Sequence, residues 1–182
     1  MKRFFLLASA LVFSFTSCDV EEEVEEAINN SIEINQMVEE EFTLPTVVEL
    51  GPQDPILIPI DSEELLAEIE SSDEISLESA LAGETTISIP EGSDANFDFL
   101  ESLAVVITSG EFAGVTLGSI DEIPDGATEL SLSVAEDAPD LSEIIESGDF
   151  NLEVNFSADE LLDAPLELEL VSDLLVDLGI EI

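Results

Sequence analysis

Histidine, tryptophan and tyrosine are absent from this 182-residue chain, and it has a single cysteine. Lys2 and Arg3 are its only basic side chains, set against 45 acidic ones. From residue 4 onward no side chain carries a positive charge, so no side-chain salt bridge can form there. Beyond Arg3 a nucleic acid would find no Lys or Arg to neutralise its phosphates, which effectively excludes it as a partner. Anionic lipid headgroups are repelled for the same reason. Ser–His and Cys–His catalysis has no histidine to use, and beyond Arg3 acid–base chemistry near neutral pH lacks His, Lys and Tyr. Zinc sites of the usual Cys/His type are equally impossible. No Gly-rich loop is present to cradle a phosphate.

Paired carboxylates are the one catalytic arrangement that the composition leaves open, as in glycosidases. Sugar sites commonly use Trp or Tyr platforms, and this chain has neither. Four of its ten Phe residues (Phe4, Phe5, Phe13 and Phe15) lie before the cysteine, and the others mostly fall where a core is expected. A carboxylate-based hydrolase is therefore the disfavoured alternative, and the chain is expected not to be an enzyme.

What is present argues for a folded domain. Hydrophobic residues make up 45% of the chain and its mean hydropathy is +0.30, too apolar for a disordered acidic tail. The length suits one domain, or at most two small ones. An acid-rich, Lys-poor surface suits saline surroundings, where counterions screen the self-repulsion of a net charge of −43.

The first residues carry an export pattern. Lys2 and Arg3 precede an apolar stretch from Phe4 to Phe15 that is too short to span a bilayer and is followed by acids. Residues 1–17 are expected to be a signal peptide. The tripeptide Phe15-Thr16-Ser17 before Cys18 resembles the lipobox of bacterial lipoproteins. It departs from that pattern in lacking Leu three residues before the Cys and Gly or Ala directly before it. The resemblance implies that Cys18 is lipidated and that its acyl chains anchor the protein to a membrane. As the only cysteine, Cys18 has no partner for an intramolecular disulfide.

Residues 18–30 are expected to be a tether. Asp19, Glu21, Glu22, Glu23, Glu25 and Glu26 form a self-repelling, solvated run. The run resembles the acidic stretch after the lipidated Cys in surface-exposed lipoproteins of the Bacteroidetes. That likeness implies an outer-membrane, lipid-anchored protein on the cell surface, with the periplasmic face as the alternative.

From residue 31 to 182, period-two alternation dominates and predicts half-buried strands. Ile32, Ile34, Val38, Phe42 and Leu44 share one parity, with Glu33, Glu39 and Glu41 on the other, until Pro45 stops the run. Ile56, Ile58 and Ile60 form a second strand, which Pro55 and Pro59 assign to a sheet edge. Thr85 to Ile89 reads as a short strand. Leu103, Val105 and Ile107 read as another, preceded in the same parity by Phe97 and Phe99. Further strands are predicted at Leu130–Val134, Phe150–Phe156 and Leu166–Ile182, the last bending or bulging near Ser172 and Asp173. Gly51, Gly83, Gly92, Gly110, Gly114, the Pro124-Asp125-Gly126 triplet and Gly148 read as turns.

Short helical turns are expected where Ser62 caps Glu63 to Ile69 and where Asp140 with Glu143 forms a capping box for Leu141 to Glu146. Ser157 to Glu160 repeats the signature weakly. Strands and turns at this spacing predict an all-β fold, an antiparallel β-sandwich with two or three short helical turns. The Phe97-Asp98-Phe99-Leu100 segment, the turn from Asp121 to Gly126 and the stretch from Asp140 to Phe156 resemble outer-envelope lipoproteins of marine and gut Bacteroidetes of uncharacterised activity. That resemblance implies an Ig-like sandwich and an envelope location, and no particular activity.

Hard cations are the ligands that such a chain suits, because Ca²⁺ takes oxygens from carboxylates and carbonyls. Three loop clusters are candidates for weak calcium binding: Asp94, Asn96 and Asp98; Asp121, Glu122 and Asp125; Glu136, Asp137 and Asp140. The Asp94-x-Asn96-x-Asp98 spacing lacks the Gly and terminal Glu of an EF-hand loop, so that motif is excluded. In the bland alternative these are solvated loops, with Asp98 on the outward face of a strand. Glu167, Glu169 and Asp177 read as a solvated sheet face that could also meet a basic partner. The expected function is a non-enzymatic, lipid-anchored envelope module for interaction or structure, its partner an unidentified envelope protein or basic partner. A calcium-stabilised adhesion module is the alternative within the binding class.

Overall fold

The computed structural model describes residues 31–69, 75–110, 112–134 and 139–180. The chain forms the expected antiparallel β-sandwich with two short helices. Its elements are β1 (Ser31–Leu44), β2 (Gly51–Pro52), β3 (Ile56–Ile60), α1 (Ser62–Ile69), β4 (Ile75–Ser88), β5 (Leu100–Ser109), β6 (Phe112–Ile120), β7 (Glu129–Leu132), α2 (Ser142–Glu146), β8 (Phe150–Ala158) and β9 (Leu166–Ile180). One sheet has the order β1-β9-β4-β7, and the other runs β2-β8-β5-β6 with β3 also paired to β8.

Alternation makes the two facing surfaces. Leu103, Val105 and Ile107 of β5 and Leu152, Val154 and Phe156 of β8 point into the sandwich from one sheet. Leu168, Leu170, Leu174, Val176 and Leu178 of β9 meet them from the other, within one continuous apolar core. Burying a side chain of this size contributes about 1.5–3 kcal/mol. Leu141, Ile144 and Ile145 extend the core beneath α2.

The two-residue β2 falls at Gly51, expected as a turn, while the longer strands that period two shortened or missed, β4 and β6, are bulged. The expected strand from Thr85 to Ile89 is the final part of β4, a strand of 14 residues. Two register shifts interrupt its pairing with β9. Glu78 is the extra residue between the pairs Leu77↔Leu178 and Ser79↔Asp177, and Gly83 with Glu84 stands opposite Asp173 between Ala82↔Leu174 and Thr85↔Ser172. Each bulge reverses the inward parity, from Leu77 to Ala80 and back to Thr85, so the period-two signal cancels along the strand. Gly83 is therefore a bulge residue and not a turn. A Cβ there would lie 2.9 Å from that of Asp173.

The irregularity expected near Ser172 is thus carried by β4, while β9 pairs with β1 in unbroken register from Ser31↔Gly179 to Leu44↔Leu166. β6 went unpredicted for the same reason. Two further shifts break its register with β5, and Gly114 lies inside it and not in a turn.

The helix starts also differ in detail. Asp61 caps α1, its Oδ1 accepting the Glu63 N–H at 2.9 Å, while Ser62, expected as the cap, is buried inside the first turn. The expected capping box does not form: α2 starts at Ser142 with Leu141 as its N-cap and no side-chain cap, and Asp140 instead accepts the Ser142 N–H on its Oδ1 at 2.9 Å. Ser157 to Glu160 forms no helix, because Ser157 and Ala158 continue β8.

Candidate functional site

The strand register sorts the candidate residues to the two ends of the sandwich. β1 enters at Ser31, beside Gly179, and leaves at Leu44, beside Leu166. At about 3.4 Å per residue, this strand separates the proximal end at Ser31 from the distal end at Leu44 by roughly 45 Å. The distal end gathers the loops at 45–50, 90–99, 121–128 and 159–165, because β4, β6 and β8 finish there and β5, β7 and β9 begin there.

Two of the three acidic clusters meet at that distal end. Phe97 is fully buried, and its N–H donates to the Ala127 carbonyl at 2.8 Å, pinning the first loop to the second. Asp98 lies in a turn and not on a strand face, since β5 begins only at Leu100. Its Oδ1 accepts the Gly126 N–H, and its Oδ2 accepts Asn96 Nδ2 at 2.8 Å. The Asp98 N–H in turn donates to Asn96 Oδ1 at 3.1 Å. Gly126 has φ +69, a left-handed conformation that lets its N–H reach Asp98 without strain.

Asp98 is therefore the latch between the two loops, while Asp94, Asp121, Glu122 and Asp125 are exposed around it. Among the described residues, no three of His, Cys, Asp and Glu converge in an arrangement able to hold a metal ion.

The third cluster sits elsewhere. Glu136 and Asp137 lie outside the described residues, as do Cys18, Asp19, Glu21, Glu22, Glu23, Glu25 and Glu26. Asp140 is docked on β4 toward the proximal end, its Oδ1 accepting the Ala80 N–H at 2.9 Å, while the Leu141 N–H donates to the Ala80 carbonyl at 2.7 Å. Partial burial pushes the Asp140 carboxyl upward, but the Ala80 and Ser142 N–H groups and the Ser142 hydroxyl outweigh it and hold the group below its ordinary value of 3.8. Asp140 thus serves to seat α2 against β4.

No family model and no curated protein matches this chain. The geometry itself must indicate what the surface can do.

Sheet edges are the parts of a sandwich that offer unpaired backbone groups, and here nearly all are closed. β2 and β3 border their sheet with Pro52 and Pro59, as Pro59 predicted for an edge. β6 is bulged, and its Ser119 exchanges both backbone bonds with Ser133 just past β7, which joins the two sheets along that flank. The part of β4 beyond β7 receives Asp140 and Leu141 at Ala80.

β1 is different. Among the described residues nothing pairs with its outer side, and its 14 residues contain no proline and no register shift. Glu33, Asn35, Met37, Glu39, Glu41 and Thr43 alternate along its outward face, and all are exposed. Gln36 and Glu40 occupy inward positions beside Val38 and Phe42, where both are half-buried. Carboxylates on the outward face and one turned inward are devices that discourage edge-to-edge aggregation. The sequence contained this signal, since Gln36 and Glu40 interrupt an otherwise apolar parity. The distal loops add Val48, Leu50 and Leu161, apolar side chains left exposed, Val48 to 77%.

Proposed function

We propose that this chain is a non-enzymatic, lipid-anchored module of the bacterial cell envelope that acts by presenting its sandwich to a protein partner. The chemistry supports it from the negative side. Beyond Arg3 the chain has no His, Lys, Arg or Tyr, so the side chains that usually activate a nucleophile or carry protons near neutral pH are missing. The acid run after Cys18 and the apolar stretch before it support anchoring at Cys18. A basic partner in the envelope is the complement of a surface with no cation of its own.

The observation that carries the reading is the polarity of the sandwich. The chain enters at Ser31, and the linked loops around Asp98 and Gly126 lie at the opposite end. An anchor at Cys18 followed by a charged tether would leave those loops, and the length of β1, turned away from the membrane. The lipid fixes the protein, the tether spaces it and the sandwich meets the partner.

Cys18→Ser tests the anchor directly. The wild-type chain is expected to incorporate labelled palmitate and to sediment with membranes, and the variant to lose the label and appear in the soluble fraction. Equal membrane association of both without label would refute the anchor. Protease treatment of whole cells then separates the surface-facing arrangement, which is digested, from the periplasmic one, which is protected.

A further inference from the structure

We propose that the open edge of β1 accepts an extended, basic segment of another protein as a fifth strand of the β1-β9-β4-β7 sheet. The inference rests on the partner-binding reading above and specifies its site and its partner's chemistry.

The first ground is the contrast among edges. Prolines border β2 and β3, bulges and the Ser119–Ser133 pair occupy β6, and Asp140 and Leu141, just before α2, dock on the free part of β4 at Ala80. β1 alone, among the described residues, keeps a long regular backbone edge without proline, bulge or covering element. In an antiparallel pair, alternate residues direct their N–H and C=O groups to one side, so about half of a strand's residues offer theirs to a newcomer. Strand addition of this kind draws affinity from the main chain and specificity from alternate side chains.

The second ground is charge. A second copy of this chain would set Glu33, Glu39, Glu40 and Glu41 against like charges, with no cation from residue 4 onward to offset them. Like charges directly across a strand pair destabilise it, and opposite charges stabilise it. The edge is therefore closed to itself by repulsion alone, and the same repulsion becomes attraction for a cationic strand.

Register specifies the partner further. Facing β1 antiparallel, it would place cations beside Glu41, Glu39 and Glu33 on the outward face and an apolar residue beside Met37, which is 52% exposed. Its inward residues would be small or apolar beside Val38 and Ile34. A polar residue would meet Glu40.

The test uses the full-length protein and the peptide acetyl-Lys-Thr-Lys-Val-Leu-Thr-Thr-Val-Lys-amide. Binding is read by titration, and hydrogen exchange locates it. The parent peptide should bind, slow exchange of β1 amides and leave those of β3 and β6 unchanged. Methylating the peptide nitrogens on the register that faces β1 preserves every charge and should weaken binding by about tenfold or more. Glu39→Gln with Glu41→Gln, both exposed, should weaken it as well, whereas Glu91→Gln with Glu160→Gln at the distal loops should not.

Failure of the parent peptide to bind would overturn the proposal. So would equal binding by the methylated peptide, which would reduce the interaction to bulk charge, and so would protection at another strand. None of these outcomes touches the palmitate and fractionation result, so the edge can fail while the anchored-module reading stands, and the reverse.

Discussion

Thr85 and Ser172 face each other across β4 and β9 with their hydroxyl oxygens 2.9 Å apart, at 0% and 1% exposure. Each satisfies the other inside an apolar core, where a lone hydroxyl has no water to turn to. Thr85→Val keeps the shape of the side chain and strands the Ser172 hydroxyl. Ser172→Ala does the converse. Either change should destabilise the fold by about 1–3 kcal/mol, the cost of a buried polar group left unpaired. For a domain of this size each kcal/mol lowers the melting temperature by about 2–4 °C. Thr85→Val combined with Ser172→Ala removes both partners and leaves only a small space, so it should return to within about 1 kcal/mol of wild type. Urea melts of the four proteins measure the cycle, with unchanged m-values confirming that native and unfolded states are comparable. If the two single losses simply add in the double variant, within about 0.5 kcal/mol, the hydroxyls are not coupled and the reasoning is wrong.

Asp140, held below its ordinary value of 3.8, should contribute stability that is complete above that value and is lost as pH falls through it and below. Asp140→Asn should therefore lose less stability than wild type on acidification from about pH 5 to pH 2, measured by melts across that range. With a net charge of −43, added salt should raise the melting temperature by screening repulsion. Because Asp98 is already committed to Gly126 and Asn96, CaCl₂ and NaCl at matched ionic strength should raise it equally. A calcium-specific rise of several degrees would restore the distal acids as a metal site.

Regular strands were legible in the sequence, and bulged ones were not. β8 alternates without interruption, and β1 and β9 keep one parity throughout, broken only by Gln36, Glu40 and Ser172 at inward positions, so period two selects their inward faces. In β4 the residues Glu78 and Gly83-Glu84 insert extra positions, so Leu77, Ala80 and Thr85 all point inward on no common parity. A window that assumes one parity sees no strand there.

Loop clusters were legible as composition but not as geometry. Asp94 to Asp98 and Asp121 to Asp125 look alike as sequences. Only the docking of Phe97 on Ala127 brings the two loops together and turns Asp98 into a latch. The candidate edge was half legible: proline marked β3 as a border, but that β1 is also a border depends on β9 pairing with it from the far end of the chain.

That last pairing governs how the protein can fold. The strand synthesised early, β1, takes its partner from the last strand of the described chain, and Ser31 reaches Gly179. Until β9 emerges, β1 has no neighbour in its sheet. Closing so large a loop also slows folding, since the entropy of closure must be met before the contacts form. The sandwich therefore closes only once β9 is available, and the acids along β1 keep the waiting segment from associating with other copies.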